Sequence, residues 1–165
     1  NGSGVCLLGV NTTRPWRHKH GELSSAQIAR VAARLRRCAP GALRVVVTHQ
    51  PLQVMAGDDL NNRVRGHGAA KPAWAAAGAD LLLSGHTHQS FVAPLPGPLS
   101  DTWVVQTGTA LSRRVRQGVP NSVHLIRHQG LQHGQRAVVE RWDWDGSAAF
   151  VQTAETVVPA RASTA

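Results

Sequence analysis

The chain has 165 residues, which is enough for one domain with a buried core and too few for two. Hydrophobic residues make up 42% of it, and no apolar run approaches the ~18 residues that a membrane-spanning helix needs. Eighteen lysines and arginines oppose nine acidic residues, so the net charge is +9. Because the basic residues are scattered along the sequence, they favour anionic ligands in general and identify no partner.

The first half of the sequence predicts a parallel sheet. Apolar runs at 4–12, 43–48 and 80–84 are nearly continuous, which is typical of strands that are covered on both faces. The intervening segments have the length and pattern of helices or of a long connection. The order strand, helix, strand, helix, strand therefore indicates an α/β fold.

Two helices are predicted between these strands. Ser24 or Ser25 suits an N-cap, and apolar residues then recur at helical spacing as far as Cys38. A shorter helix is predicted over 72–77, with Pro72 in its first turn. Residues 50–68 show no periodicity and predict a long loop of the kind that tends to be functional.

The second half changes character. Short apolar runs separated by Gly, Pro and Asn indicate antiparallel strands, and Asp145-Gly146 is a hairpin turn signal. The runs cover 103–106, 122–128, 137–144 and 148–153. Residues 157–165 are expected to form a disordered tail. Cys6 lies in the first apolar run and Cys38 continues the apolar spacing of the first predicted helix, and both are expected to be buried free thiols.

Three histidines follow two of the predicted parallel strands. His49 follows the strand at 43–48, and Gly85-His86-Thr87-His88 follows the strand at 80–84. Ligand sites of open α/β sheets lie at the carboxyl ends of the strands, and imidazole suits several divalent transition metals. Alternation of side chains is expected to aim His86 and His88 in the same direction. We therefore predict that His49, His86 and His88 are metal ligands.

With these motifs the sequence resembles the calcineurin-like metallophosphoesterases. The His49-Gln50-Pro51 strand end is similar to the fourth of the family's five sequence blocks, and Gly85-His86-Thr87-His88 matches the fifth. The region of Trp16 and the run 106–110 with Arg113 resemble the cyclic-nucleotide phosphodiesterase-like bacterial branch. The resemblance implies a two-sheet α/β sandwich flanked by helices, with the N-terminal half missing here and residues 1–156 forming the C-terminal portion of one domain.

The resemblance also implies a dinuclear metal site. His49 and His86 would bind one divalent ion and His88 the other, the ions being manganese, iron, zinc or similar. The family's bridging aspartate and its proton-donating histidine belong to the first three blocks, which we do not find. The run 57–61 superficially resembles the family's Gly-Asp-x-x-Asp block. It follows His49, however, which is out of order for that block, and it is interpreted as a loop.

Other residues are weaker candidates. Arg65 and His67, in the loop at 50–68, are predicted to bind substrate, and Arg63 could also reach a phosphate. His124 and His128 are expected to be ordinary sheet residues. We predict a cytoplasmic phosphoesterase that hydrolyses small phosphodiesters such as cyclic nucleotides, present here as an inactive fragment. The alternatives are a non-catalytic module that binds anions or nucleic acid, and assembly with a separate chain that carries the missing blocks.

Overall fold

A computed structural model of the chain describes residues 4–15, 20–55, 57–115, 118–129 and 134–161. Two helices and eight strands lie within these ranges, together with short 3-10 turns at Gly57–Asn62 and Gly97–Leu99. In chain order the helices and strands are β1 Val5–Val10, α1 Ser25–Arg36, β2 Leu43–Thr48, α2 His67–Ala76, β3 Leu81–Ser84, β4 Phe91–Pro94, β5 Trp103–Gln106, β6 Ser122–Arg127, β7 Gln135–Trp144 and β8 Phe150–Pro159. None of the described helices has the length and apolar content needed to cross a membrane.

The strands form two sheets, as expected for an α/β sandwich. The larger sheet has the order β1-β2-β3-β5-β4, in which β1, β2, β3 and β5 are parallel and β4 is antiparallel to β5. The smaller sheet is antiparallel, with the order β6-β7-β8. The carboxyl ends of the four parallel strands therefore meet at one edge of the larger sheet.

Helices cover one face of the larger sheet. Leu35 of α1 and Trp74 of α2 are both 0% exposed and pack with apolar residues of β2, β3 and β5. The Trp74 indole N–H donates a hydrogen bond to the Ile28 carbonyl oxygen at 3.1 Å, so the two helices are fixed to each other as well as to the sheet. Ser24 caps α1 in a capping box with Gln27.

The smaller sheet covers the other face. Val45 of β2 and Leu81 of β3 are buried against Ala137 and Val139 of β7 and Val158 of β8. The described part of the chain thus has three layers, with both helices on the outer face of the larger sheet. This second apolar core explains why β2 and β3 are nearly continuous runs of apolar residues.

Several elements differ from the sequence prediction, and β5, which was expected to be an antiparallel strand, is parallel to β3. Helix α2 begins at His67, five residues before Pro72, and β4 had not been predicted at all. The expected tail from residue 157 is wrong in its first part, because β8 continues to Pro159 and buries Val158 to 1% exposure. Trp16, Arg116 and residues 162–165 lie outside the described residues.

The expectation of free thiols is also wrong. Cys6 and Cys38 form a disulfide, with their Cα atoms 6.0 Å apart. Cys6 alternates along β1 with Leu8 and Val10, which pack toward the helix layer, and Cys38 follows the end of α1. The return of α1 over β1 brings the two residues together, although 32 positions separate them in the sequence.

A buried carboxylate joins the two sheets. Asp80, at the start of β3, is 2% exposed. Its Oδ2 accepts hydrogen bonds from the Arg44 backbone N–H and from the Arg136 guanidinium, both at 2.8 Å. Arg161 lies 3.4 Å from Oδ1 and also donates to the Ala79 carbonyl oxygen. Residues of β2, β7 and the segment after β8 therefore meet at one anion.

We expect Asp80→Asn to destabilise the fold strongly. The substitution keeps the size of the side chain but removes the buried charge that compensates two partly exposed arginines. Breaking a fully buried ion pair costs about 3 kcal/mol or more, which sets the upper end of the expected loss. Urea unfolding should show this loss, whereas Asp101→Asn at an exposed position should change the free energy of unfolding little. Equal stability of the two variants would contradict the role of Asp80.

Candidate functional site

The carboxyl ends of the parallel strands surround a cavity. It has a volume of about 530 Å³ and is lined by the last residues of β1, β2 and β3 together with His49, Gly85 and Thr107. Side chains that follow neighbouring parallel strands converge at this edge, where ligands of open α/β sheets bind. The cavity is therefore the candidate active site.

His49 and His86 lie in contact at this edge. The Gly85 backbone N–H donates to the His49 carbonyl oxygen at 3.1 Å, which holds the two strand ends together. The ring centroids of His49 and His86 are 5.1 Å apart in an edge-to-face arrangement, and His86 Nδ1 is 3.3 Å from His49 Nε2. The two rings therefore lie together at the carboxyl edge of the sheet, and their role as metal ligands stays a prediction.

The backbone of the histidine turn is strained. His86 and His88 have φ values of 72° and 56°, and they are the non-glycine residues with positive φ among those described. Left-handed conformations are unfavourable for residues with a side chain and cluster at functional sites. Because the turn is not extended, strand alternation does not apply to it, so the reason given for expecting both rings to point the same way does not hold.

His88 has a different partner from His86. Its Nδ1 lies 2.6 Å from the carbonyl oxygen of Arg114. A histidine that binds a metal through one nitrogen commonly donates its other N–H to a backbone carbonyl, which fixes the tautomer and the orientation of the ring. The contact with Arg114 therefore directs Nε2 of His88 to be the ligand atom, if this residue binds an ion.

The side chain of Gln106 forms hydrogen bonds with the strained turn. This residue of β5 is 0% exposed, and its side-chain N–H groups donate to the Gly85 carbonyl oxygen and, at 2.9 Å, to Thr87 Oγ1. Its Oε1 accepts from Ser84 Oγ at 2.6 Å. Both ends of the amide are thus used between Ser84 and Thr87. The sequence signal for this role was only a glutamine at the end of a predicted strand.

The two paired imidazoles fit one metal ion. Ligand nitrogens that are each about 2.05 Å from a tetrahedral zinc ion lie about 3.3 Å from each other. The observed separation of His86 Nδ1 and His49 Nε2 has this value. Within the described ranges, however, no three or more His, Cys, Asp or Glu side chains are grouped so that they could hold an ion. The nitrogens of His49 and His86 therefore have the spacing of two ligands of one ion, and metal binding by these residues stays a prediction.

Arg65 and His67 lie together in a second cavity. Its volume is about 640 Å³, and its lining includes His20, Arg63, Arg65 and His67. It shares no lining residue with the cavity at His49, but Pro51, two residues after His49, accepts a hydrogen bond from the Val64 N–H at 2.8 Å. The segment that lines this second cavity, called the basic cavity below, is therefore hydrogen-bonded to the segment that follows His49.

The electrostatics of the basic cavity favour an anion. Burial, followed by the charges of Arg63 and Lys71, lowers the pKa of His67. Burial and Arg63 likewise lower the pKa of Lys71. His67 Nδ1 is buried and has no hydrogen-bond partner among the described residues. A bound anion would offset the mutual repulsion of these cations.

His124 is less ordinary than its sequence context indicates. Burial, with a further contribution from the nearby Arg141 charge, lowers its pKa to about 4, so the ring is neutral at pH 7. Its Nε2 lies 3.2 Å from Ser90 Oγ, two residues after His88, and its Nδ1 is buried without a partner among the described residues. His128, by contrast, contacts the Arg136 carbonyl oxygen at 2.8 Å within the smaller sheet.

Comparison with known proteins gives little further information. No protein-family model matches the chain, and no curated protein matches it. Among solved structures, one similar chain is a "putative 5'-nucleotidase" from Staphylococcus aureus, solved in complex with alpha-ketoglutarate. It is 14% identical with a TM-score of 0.39, and the match covers 93% of this chain and 26% of that protein. A likeness this weak shows neither the family nor the activity of this chain.

We expect Gln106→Leu to disorder the histidine turn. The substitution removes the donors to Gly85 and Thr87 and leaves buried polar atoms unpaired, each costing about 1–3 kcal/mol. In histidine-labelled protein, the ring resonances of His49 and His86 should shift while those of His128 remain in place. Gln152→Leu, at an exposed position of β8, is the matched control, and unchanged ring resonances in Gln106→Leu would contradict the role of Gln106.

We expect the half-buried His124 to make the protein less stable in acid. Its pKa is lowered on folding, so between pH 6.5 and about 4 the unfolded chain binds a proton that the native chain does not. The stability contributed by the neutral ring is therefore present above pH 6.5 and is lost as the pH falls through this range. Urea unfolding at several pH values should show that the free energy of unfolding falls less with decreasing pH in His124→Gln than in the unaltered protein. The same dependence on pH in both proteins would refute this prediction.

Proposed function

We propose that this chain carries the histidine ligands of a metal-dependent phosphoesterase. The observation that supports the proposal best is the pair formed by His49 and His86, whose ring nitrogens are 3.3 Å apart at the carboxyl edge of the sheet. The positive φ at His86 and His88 adds to it, because a fold maintains such backbone strain chiefly where function requires it. The motif resemblance to metallophosphoesterases gives the reaction type.

In this proposal His49 and His86 bind one divalent ion and His88 binds the other. Two such ions, when bound, lower the pKa of a bridging water and neutralise charge on the phosphoryl oxygens. The residues of the chain position the ions. Gln106 keeps His86 and His88 in their left-handed conformations, and the Arg114 carbonyl oxygen orients the His88 ring.

Arg65 and His67 hold the phosphoester in the same proposal. The cavity that they line with Arg63 and His20 is cationic, and the Val64 N–H in its wall segment donates a hydrogen bond to the Pro51 carbonyl oxygen, two residues after His49. A guanidinium presents several N–H donors in the geometry of a phosphate, so Arg65 is suited to bind a non-bridging oxygen. The substrates would be phosphodiesters of small organic molecules, including cyclic nucleotides.

We expect the 165-residue chain to hydrolyse such esters slowly by itself. A dinuclear site needs bridging carboxylate oxygen as well as imidazole, and the described residues group no carboxylate with His49 and His86. One ion bound weakly by two imidazoles would not supply a bridging water.

Metal binding tests the proposal without depending on turnover. Titration with manganese or zinc, followed by calorimetry, should show binding that weakens by more than about tenfold in His49→Ala and His86→Ala. His128→Ala, which alters a histidine of the smaller sheet, is the matched control and should bind the ions like the unaltered protein. An unaltered protein that binds neither ion, or variants that bind them equally well, would contradict the proposed site.

Hydrolysis of bis-p-nitrophenyl phosphate with added manganese gives a second readout. We expect a low rate that requires the metal and disappears in His86→Ala. A rate that survives substitution of His49, His86 and His88 together would show that the activity arises elsewhere. Rapid turnover by the unaltered chain would contradict our expectation that it lacks necessary carboxylates.

A non-catalytic anion-binding module is the second candidate function. It is favoured by the separation of the basic cavity from the cavity at His49, and by the net charge of +9. Retention on DNA that falls steeply with salt, and that survives the three histidine substitutions but not Arg63→Ala with Arg65→Ala, would support it over the enzyme.

A further inference from the structure

A third cavity begins one residue after His88. Its volume is about 430 Å³, within the range of small-molecule sites, and the residues that line it are Met55, Gln89, Ser90, Phe91, Gly118, Val119 and Arg141. Met55 belongs to the segment that leaves β2 after His49, and Gln89 directly follows His88. The two segments that leave the histidine-bearing strand ends therefore contribute part of the cavity wall, and residues 118–119 and Arg141 of β7 complete it.

The lining combines apolar surface with a few polar groups. Met55 is 72% exposed, so it belongs to no core, yet its flexible and polarisable thioether faces this cavity beside the half-buried ring of Phe91. Gln89, Ser90 and Arg141 contribute the polar atoms. Arg141 is held in place because its Nε donates to Asp143 Oδ1 at 2.7 Å. This is the composition of a site for an organic group that is apolar on its faces and polar at its edge.

Ser90 is positioned by a residue outside the cavity lining. The half-buried His124 ring holds the Ser90 hydroxyl through its Nε2 at 3.2 Å. A hydroxyl has one donor and two acceptor positions, so this contact leaves Ser90 able to form a hydrogen bond with a ligand whichever tautomer His124 adopts. His124 is thus a positioning residue for a hydroxyl at the cavity wall.

The geometry points to this cavity as the subsite for the organic group of the phosphoester, and specifically for a planar ring with hydrogen-bonding edges of the nucleobase type. The inference rests on the proposed function, because it places the ester's organic group beside the metal-binding histidines. Met55 and Phe91 would contact the faces of the ring. Ser90 and Gln89 would bind its polar edge and so select among esters.

Binding of adenosine to the metal-free protein tests the subsite alone. In a titration followed by amide resonances, adenosine should shift the signals of Gln89, Ser90 and Phe91, whereas ribose, which lacks the ring, should not. Ser90→Ala should weaken binding about three- to tenfold, the value of one net hydrogen bond. Ser90→Thr, which keeps the hydroxyl, should restore binding to within about twofold of the unaltered protein.

Met55→Ser is a second variant that cannot fail through misfolding of the core, since Met55 is exposed. It should weaken adenosine binding about two- to tenfold through loss of the contact between sulfur and ring. The matched controls are Ser100→Ala and Val151→Ser, which remove a hydroxyl and an exposed apolar side chain outside the cavity lining. Both should bind adenosine like the unaltered protein.

The outcomes separate this inference from the proposed function. Absence of adenosine binding, or equal binding by the unaltered protein, Ser90→Ala and Met55→Ser, would overturn the subsite while leaving metal binding by His49 and His86 intact. Adenosine binding that responds to these variants supports the subsite. Failure of metal binding in the same preparation would then refute the enzyme and not the ring-binding cavity.

Discussion

The Asp80 carboxylate is where the two sheets and the end of the described chain are joined. Arg136 from β7 and Arg161 after β8 both reach it, and the Arg44 N–H of β2 donates to the same side chain. Charges this deep in a protein persist only when they are paired and hydrogen-bonded. Because β2 and β3 are in register from Val45 with Leu81 onward, fixing their starts also fixes where their carboxyl ends deliver the histidines.

The histidine turn shows how a fold maintains local strain. Two left-handed non-glycine residues in one short turn are unfavourable in isolation, at roughly 1–3 kcal/mol each. The buried amide of Gln106 and the hydrogen bond from Gly85 to the His49 carbonyl oxygen offset that energy with contacts that only this conformation makes. These hydrogen bonds fix the conformation of the turn at the edge of the sheet.

The sequence predicts those parts of the fold that depend on local pattern. The bounds of β2 and β5, and the parallel order of β1, β2 and β3, follow from continuous apolar runs between turn residues. The parallel pairing of β5 with β3 was not predicted, because the run 103–106 stands among short strands separated by turn residues and was expected to be antiparallel. Strand β4 was missed because it has only four residues, ends in Pro94 and is half buried. The predicted start of helix α2 was five residues too far along the chain. Gly68 lies in its first turn, and its N-cap residue, Gly66, has no side chain that could mark the start.

The candidate site, too, is predictable only where it depends on local pattern. The meeting of His49 with His86 follows from parallel strands that end together, but the direction of His88 depends on a left-handed backbone that no sequence pattern announces. The cavity beside Ser90 could not be predicted from the sequence either, because His124, which contacts Ser90, belongs to the other sheet. Contacts between distant segments require coordinates.

The bond between Cys6 and Cys38 means that the chain has two covalent forms. Thiols are kept reduced in the cytoplasm, the compartment predicted from the sequence, while oxidising compartments preserve disulfides. In the reduced form β1, an edge strand with Val5 and Leu7 exposed, is attached to the sheet by its pairing with β2 and by packing alone. A reductant added to a purified sample therefore changes the molecule under study, and its first effect falls on the strand that borders the histidine-bearing β2.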